Sequence, residues 1–377
     1  MRVLHLGKYY APQHGGIERY TRDLAEWLVA QGDRVSVLVH QRPGRWRGSR
    51  ESLDGVELRR VGSIAELVYA PLSPSYPFAL ARALREFQPH LLHLHLPNPS
   101  CFAALASPAA RRLPWIVHWH ADVSPDSHDW RLRAAYRAYR PFEQAVLARA
   151  HSIIATSQPY LDASQALAPW RAKVAVVPLG TNERTDVPPK PDLWPQRSGL
   201  RLLAVGRLSH YKGFDTLIAA LEQLPDASLL LVGSGECGSH LRAEAAARGL
   251  ADRIAFAGVL DDATLAAAYA GADVFVLPSL DRSEAFGLVL LEAMQSRLPV
   301  VASAVEGSGI GSVVCNGDTG LLAPPGDSGA LAHALEQMLD ASLRARFGTA
   351  GHTRWQERFT LAKSAAAVRA IYRTIAH

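Results

Sequence analysis

Two glutamates, Glu284 and Glu292, flank a glycine-containing segment, Phe-Gly-Leu-Val at residues 286–289. An apolar run at residues 274–277, typical of a buried strand, precedes them, so the segment predicts a loop that leads into a helix. Backbone N–H groups at a helix N-terminus suit a phosphate, and Gly287 would let a ligand approach the backbone closely. If the whole span were helical, the carboxylates would be roughly 12 Å and 80° apart, and each could hold hydroxyls at a different end of an extended ligand. An amphipathic helix with two solvated glutamates fits the same spacing.

A second segment carries two cations, Arg207 and Lys212, between an apolar run at residues 202–205 and a stretch of helical period that begins at Phe214. In that position their positive charges, together with the partial positive charge of the helix N-terminus, would attract one diphosphate. A pair of solvated cations with no ligand is the other interpretation, and the sequence alone leaves both open.

A third segment, Gly15-Gly16-Ile17-Glu18, follows the first apolar run of the chain. Two glycines between a strand and a helix are found in phosphate-binding loops and also in ordinary tight turns. Taken by itself, this motif favours the tight turn.

A fourth segment places His118 and His120 directly after an apolar run, where alternation puts both on one face of a strand. One of them is expected to be structural and the other, His120, to contact a ligand or handle a proton. A metal site would need a third ligand. His93, His95 and Asp122 are available for it, but nothing in the sequence fixes their geometry.

The elements that must position these residues follow a βαβ rhythm, in which short runs rich in Val, Ile and Leu alternate with longer stretches of helical period. This pattern predicts an α/β protein with two parallel sheets, each covered by helices on both faces. Ligands of such sheets lie beyond the carboxyl ends of the strands, so a cleft between two Rossmann-like units is the expected active site. The predicted strands are residues 3–6, 35–39, 91–96, 115–119, 153–155 and 174–177 in the first half, and 202–205, 229–232, 254–256, 274–277 and 300–302 in the second.

A proline-rich stretch with few apolar residues separates the two halves and is typical of an interdomain linker. The expected division is a first domain at residues 1–183, a linker at 184–199, a second domain at 200–358 and a C-terminal segment at 359–377.

The composition is that of a soluble globular protein, with 377 residues, 48% hydrophobic residues and 20% charged residues. A net charge of +5 without a long run of Lys or Arg argues against nucleic acid as a partner. Three widely spaced cysteines indicate neither a disulfide framework nor a metal-ligand pair. The short apolar N-terminus and the absence of an 18-residue apolar window predict a cytoplasmic protein, with peripheral contact to the inner face of the cytoplasmic membrane as a further expectation.

Taken in order, these segments resemble the retaining glycosyltransferases of family GT4, which have the GT-B fold, and the resemblance covers essentially the whole chain. The signals are the Gly-Gly-Ile-Glu loop, His120 followed by Asp122, the Gly-Arg-Leu…Lys-Gly segment at 206–213, Leu-Val-Gly-Ser-Gly at 231–235, and Glu-x7-Glu at 284–292. The chain departs from the family at residues 177–182, where Val-Pro-Leu-Gly-Thr-Asn replaces the frequent Pro-Asn-Gly-Val-Asp.

The resemblance implies a role for each motif. Arg207 and Lys212 would hold the donor diphosphate, so that neither a metal nor another cofactor is expected, and His120 would lie beside the reacting sugar. The other implied donor contacts are Gly16 against the diphosphate, Glu284 on hydroxyls of the transferred sugar, Glu292 on the ribose, the backbone near Val259 at the base, and backbone N–H groups at Phe286, Gly287, Leu288 and Val289.

The resemblance also implies that the domain at 1–183 binds the acceptor, that the domain at 200–358 binds the nucleotide sugar, and that a C-terminal helix at 359–377 crosses back onto the first domain. The implied reaction moves a hexose, with mannose favoured, from a nucleotide-diphosphate sugar to a lipid-linked or saccharide acceptor in cell-surface polysaccharide synthesis, with retention of configuration. Two alternatives remain, a catalytically silent nucleotide-binding scaffold and an NAD-dependent oxidoreductase, although no Gly-x-Gly-x-x-Gly follows the first strand. A basic, aromatic segment would suit an anionic membrane surface, or would be an ordinary arginine-rich helix. Its residues are Trp130, Arg131, Arg133, Tyr136, Arg137, Tyr139 and Arg140, and residues 45–47 have a similar composition.

Overall fold

A computed structural model describes residues 1–13, 15–67, 70–123, 130–183, 193–195 and 198–375. The chain divides into two compact units. Unit 1 comprises residues 1–180 and 361–377, and unit 2 comprises residues 181–360. The predicted linker at 184–199 lies mostly outside the described residues.

Unit 1 is built on an eight-stranded sheet in the order β10-β9-β8-β7-β1-β2-β4-β3. Its central strands are buried along their whole length, as the Val- and Leu-rich runs require for a sheet covered on both faces. The predicted α/β fold with parallel sheets is confirmed, and among the described residues of this sheet the edge strand β3 adds one antiparallel pairing, to β4. The strands are β1 (Arg2–Leu6), β2 (Arg34–His40), β3 (Ser49–Leu53), β4 (Val56–Val61), β5 (Ala65–Leu67), β6 (Ala70–Leu72), β7 (Leu91–Leu96), β8 (Trp115–Trp119), β9 (Ser152–Ala155) and β10 (Val174–Val176), of which β5 and β6 form a separate antiparallel pair.

Helices of unit 1 turn apolar stripes towards this sheet, as in α1, where Tyr20, Leu24 and Leu28 are buried. The C-terminal helix packs beside α1 and bonds to it through the hydroxyls of Tyr20 and Ser364. These helices are α1 (Gly16–Ala30), α2 (Tyr76–Phe87), α3 (Ala103–Ala106), α4 (Pro108–Arg111), α5 (Trp130–Arg149), α6 (Gln158–Ala163) and, at the C-terminus, α14 (Leu361–Ile375).

Unit 2 has a six-stranded parallel sheet in the order β13-β12-β11-β14-β15-β16. Leu and Val side chains from its strands and flanking helices form one buried core. The strands are β11 (Arg201–Val205), β12 (Ser228–Val232), β13 (Ile254–Gly258), β14 (Val274–Leu277), β15 (Val300–Ser303) and β16 (Gly320–Ala323). The helices are α7 (Phe214–Leu221), α8 (Gly238–Ala247), α9 (Asp262–Gly271), α10 (Leu288–Gln295), α11 (Ile310–Val313), α12 (Ser328–Gln337) and α13 (Ala341–Arg358).

In each sheet the strand order reverses at one place, between β1 and β7 in unit 1 and between β11 and β14 in unit 2. Loops that leave neighbouring strands at such a point diverge to opposite faces and leave a crevice in which α/β proteins bind ligands. The segments singled out in unit 2, residues 206–213 and 278–287, are the loops that follow β11 and β14. Unit 1 places residues 7–16 after β1 and His120 immediately after β8.

Candidate active site

A buried ion pair joins the two loops at the strand-order reversal of unit 2. Lys212 Nζ lies 2.5 Å from Glu284 Oε2, and both side chains are about nine-tenths buried. Burial alone would lower the pKa of Lys212, but the negative charge of Glu284 outweighs it and holds the pKa of the lysine above its usual value. Ser279, at the end of β14, donates its hydroxyl to the same carboxylate oxygen at 3.1 Å. The pair is therefore a charged, hydrogen-bonded unit between the two loops at the strand-order reversal.

Two glycines make room for this lysine. Gly213 has a φ of +64° at the start of α7, and a Cβ there would lie 2.1 Å from the carbonyl oxygen of Pro278. A Cβ on Gly206 would lie 3.1 Å from Lys212 Cε. Glycine at position 213 therefore lets the loop after β11 pass close to the loop after β14, and glycine at position 206 leaves room for the side chain of Lys212.

The loop after β14 leads into α10, which begins at Leu288. Glu284 therefore lies in the loop, whereas Glu292 lies one turn inside the helix and is buried, so the separation calculated for a continuous helix does not apply. Gly287 caps the helix with a φ of +81°. The first N–H groups of a helix have no intrahelical acceptor, and at α10 they belong to Leu288 and Val289, two of the residues expected to meet sugar and phosphate.

Phe286 is buried and packs edge-on against Phe359, with ring centroids 6.2 Å apart. The preceding carbonyl, that of Ala285, accepts from the N–H of Gly309 at 2.8 Å. Ser308 donates its hydroxyl to the backbone carbonyl of Glu284. Packing and hydrogen bonds thus fix the backbone at Glu284 and at the two residues that follow it.

The other predicted cation is held differently. Arg207 is half exposed, and its guanidinium meets the carboxylate of Glu236 at 3.1 Å. Glu236 comes from the loop after β12, whose Gly233 lies against the backbone of Gly206. The structure thus pairs the two cations with two different carboxylates, one buried and one at the surface.

Val259 follows β13 and is 51% exposed. The preceding residue, Gly258, has a φ of +66° and accepts a hydrogen bond from the N–H of Gly233. This exposed turn lies two strands away from β11 in the sheet of unit 2.

In unit 1, His120 belongs to a cluster of five buried histidines on one face of the sheet. Strand register pairs His5 with His93 and His95 with His118, so their side chains share that face. Burial lowers the pKa of every one of the five, in the case of His95 to about 3, so all are neutral at physiological pH. The loop after His120 is held by Asp122, which accepts from Trp119 Nε1 and from Ser164 Oγ.

The cluster contains two sets of three imidazoles whose nitrogens lie within 4.8 Å of one another, the first being His5, His93 and His95. The second is His95, His118 and His120. Neutral imidazoles are the form that binds transition metals. The rings of His118 and His120, however, are stacked with planes only 1° apart, and lone pairs in parallel planes do not converge on one point. Coordination by that set would require the rings to rotate.

Gly16 begins α1, and a Cβ built on it would meet no atom of the described residues within 4 Å. The neighbouring Gly15 differs, because a Cβ there would lie 2.0 Å from Glu18 Oε2. Space is thus open beside Gly16 and filled by a glutamate side chain beside Gly15.

Several residues of the candidate site were missed by the sequence analysis. Ser279 and Glu236 each follow a predicted strand, and that position alone could have marked them as candidates. Ser308 carries no such signal, because its role depends on a contact with a backbone carbonyl 24 residues away.

Two Rossmann-like units with these switch-point loops define the GT-B class of glycosyltransferases. A family model described as "Glycosyl transferase 4-like domain" matches residues 15–180, and one described as "Glycosyl transferases group 1" matches residues 196–354. The chain belongs to glycosyltransferase family 4, which confirms the resemblance found in the sequence, and it is a glycosyltransferase.

Its relatives act on different substrates. The O-antigen chain mannosyltransferase C of Escherichia coli is 30% identical over 96% of this chain and 95% of its own length. The phosphatidyl-myo-inositol mannosyltransferase of Mycobacterium leprae is 31% identical over 100% of this chain and 97% of its own. Among solved structures, a sucrose-phosphate synthase from Thermosynechococcus elongatus has a TM-score of 0.80 and 28% identity, covering 99% of this chain and 98% of that one. In the part of the chain that the structure describes, no helix is long and apolar enough to span a bilayer.

Proposed function

We propose that this chain is a retaining, metal-independent hexosyltransferase that takes its sugar from a nucleotide-diphosphate donor, with GDP-mannose favoured. The observation that carries the proposal is the buried Lys212–Glu284 pair at the switch point of unit 2, next to the N-terminus of α10. A cation and a helix N-terminus attract a diphosphate, and a carboxylate accepts hydrogen bonds from sugar hydroxyls.

Each charged group has a role in the proposed reaction. The bond between the anomeric carbon and the diphosphate oxygen breaks, and Lys212 and Arg207 neutralise the charge that develops on the leaving group. The acceptor oxygen bonds to the same carbon on the same face, and its proton passes to the departing phosphate. Glu284 orients the sugar and His120 contacts it, so neither acts as the nucleophile of a glycosidase-type mechanism.

The preference for mannose comes from relatives. Two that cover nearly the whole chain are named mannosyltransferases, one acting on an O-antigen chain and one on phosphatidyl-myo-inositol. Both names suggest an acceptor of cell-surface glycoconjugate synthesis. We therefore propose a lipid-linked or saccharide acceptor for this chain as well.

Peripheral membrane contact is part of the proposal and is supported by α5, where Trp130 is 65% exposed and Phe142 is 53% exposed among arginines. Exposed aromatic and cationic side chains together suit an anionic bilayer surface. Co-sedimentation with phosphatidylglycerol vesicles at low salt tests it, and failure to bind would remove this part of the proposal alone.

Transfer of radiolabelled sugar is the test of the activity. Purified protein is incubated with GDP-mannose, UDP-glucose or UDP-galactose and with lipid-linked saccharide or phosphatidylinositol acceptors, in the presence and absence of EDTA. The proposal predicts an α-linked product from GDP-mannose, by NMR of the anomeric proton, with an unchanged rate in EDTA. A β-linked product from the same donor would contradict retention, and loss of activity in EDTA would contradict metal independence.

A further inference from the structure

The histidine cluster of unit 1 contains a chain of hydrogen bonds between imidazoles. His5 Nδ1 lies 2.9 Å from His95 Nε2, and His95 Nδ1 lies 2.9 Å from His120 Nε2. Both ring nitrogens of His95 are thus engaged by other imidazoles, and the hydroxyl of Thr21 makes a longer contact of 3.4 Å with Nδ1 of the same ring. The three residues come from β1, from β7 and from the end of β8.

Ring geometry supports direct N–H···N bonds along this chain. Ring centroids are 5.2 Å apart in both pairs, and the planes differ by 24° and 12°. The centroid distance exceeds the nitrogen–nitrogen distance by roughly the width of one ring, as expected when a bond runs in line between nearly coplanar rings. His118 is different, since it stacks on His120 with centroids 4.3 Å apart and its two ring nitrogens have no partner among the described residues.

Such a chain has only two self-consistent arrangements, because a neutral imidazole has one N–H and one lone pair. Either all three rings carry the proton on Nδ1 or all three carry it on Nε2. Any mixture places two N–H groups, or two lone pairs, against each other in the protein interior, where an unmade hydrogen bond is costly. The tautomer of the histidine at one end of the imidazole chain therefore determines, through His95, the tautomer of the histidine at the other end.

At each end of the imidazole chain, one ring nitrogen is available for a further hydrogen bond. His5 Nε2 and His120 Nδ1 are buried and have no hydrogen-bond partner among the residues that the structure describes. In one arrangement His120 presents an N–H at Nδ1, and in the other it presents a lone pair. The difference decides whether His120 donates to a ligand oxygen or accepts from a hydroxyl.

We propose that His5, His95 and His120 form one imidazole chain that fixes which nitrogen of His120 carries its proton, so that His95 is a positioning residue for the contact of His120 with the sugar. The inference rests on the proposed function for that contact. The evidence for the imidazole chain is the geometry of unit 1.

The test is long-range ¹H–¹⁵N correlation NMR of full-length protein labelled with ¹⁵N-histidine, which reports the tautomer of each ring. The proposal predicts the same tautomer for His5, His95 and His120 in the wild type. Different tautomers in any two of the three, or a charged imidazolium among them, would overturn it. This measurement needs no variant and no activity.

His95→Phe removes both links, and His93→Phe is its matched control, because His93 lies on the same strand, is equally buried and bonds instead to Tyr372. GDP-mannose that shifts the NMR signals of His120 should also shift those of His5 in the wild type and in His93→Phe. In His95→Phe the signals of His5 should not shift when those of His120 do. Coupling that persists in His95→Phe would contradict the proposal. His95→Leu, which also removes both links, replaces the phenylalanine variant if that variant does not fold.

Activity separates this inference from the proposed function. In His95→Phe, kcat should fall by about 10- to 100-fold, the range seen when a group that orients a histidine is removed, while the donor KM changes little. His93→Phe should keep most of the wild-type kcat. If the wild type transfers no sugar but its three histidines share one tautomer, the proposed function is contradicted and the imidazole chain is still supported.

Discussion

Lys212 and Glu284 are 72 residues apart in the sequence, yet their charged atoms lie 2.5 Å apart in a buried position. Each comes from a loop that follows a strand next to the strand-order reversal of unit 2. Removing one partner from a buried ion pair leaves an uncompensated charge, which costs more than removing both. The pair is therefore open to a test that separates stability from activity.

Single and double variants of this pair should differ in stability in a characteristic way. We expect Lys212→Met and Glu284→Gln each to lower the free energy of unfolding, Lys212→Met by about 3–5 kcal/mol because it leaves the carboxylate alone. The double variant should be less destabilised than the sum of the two, while lacking transferase activity like the singles. Urea denaturation of all four proteins measures the coupling, and strictly additive effects would show that the pair does not interact.

The left-handed backbone at Gly213 predicts a large effect of a single methyl group. Gly213→Ala adds both an unfavourable φ and a Cβ 2.1 Å from the carbonyl oxygen of Pro278. Gly249→Ala is the matched control, because Gly249 has a φ of +69° and open space around the added Cβ. We expect a loss of about 1–2 kcal/mol for the control and clearly more for Gly213→Ala. Equal melting temperatures for the two variants would refute the close approach.

The buried histidines predict that unit 1 loses stability in acid. Their pKa values are lowered in the folded state, so below pH 6.5 the unfolded chain binds protons that the native chain does not. Stability should therefore fall as the pH drops from 6.5 towards the folded-state values, by about 1.4 kcal/mol per histidine for each pH unit. Urea midpoints between pH 7 and pH 5 measure this slope.

Two variants make the acid prediction specific. His118→Phe should give a shallower slope than the wild type, because one proton fewer is taken up on unfolding. His333→Ala, at an exposed position in unit 2, is the control for the loss of a histidine outside the cluster. A wild-type stability that is flat from pH 7 to pH 5 would contradict the neutral cluster.

The ion pair between Arg207 and Glu236 predicts an effect on donor affinity. Both side chains are about half exposed, so the pair contributes little to stability. In Glu236→Gln the competing negative charge is gone, and we expect tighter binding of the diphosphate by up to about fivefold, with an unchanged melting temperature. Isothermal titration with GDP and UDP measures it. Weaker binding in this variant would mean that Glu236 itself supports the ligand.

Much of this fold could be predicted from the sequence because buried parallel strands leave uninterrupted apolar runs. The strands at residues 91–96, 115–119 and 274–277 agree with the predicted boundaries, and the others differ by one or two residues. Five strands were missed, β3 to β6 and β16. A strand at an edge, such as β3 or β16, carries polar or glycine residues like those of a loop, and β4 carries Glu57, Arg59 and Arg60 among its apolar residues.

The candidate site was less predictable. The type and loop position of Lys212 and Glu284 are visible in the sequence, but their contact depends on the order of the strands, which local patterns do not encode. The same holds for His5 and His95, whose relation to His120 arises only when three strands are placed side by side. Arg207 and Lys212 looked alike in the sequence, and only the structure separates a surface pair from a buried one.

Binding of nucleoside diphosphates tests the central claim most directly. Thermal shifts with GDP, UDP, ADP, their hexose conjugates and NAD are compared for the wild type, the Lys212→Met/Glu284→Gln double variant and Lys173→Met, a lysine of unit 1 that bonds to backbone carbonyls. We predict stabilisation by one nucleoside diphosphate family, about 2.7 kcal/mol at a hundredfold excess over Kd, in the wild type and in Lys173→Met only. Stabilisation by NAD, or equal stabilisation of the double variant, would contradict a donor site at Lys212 and Glu284.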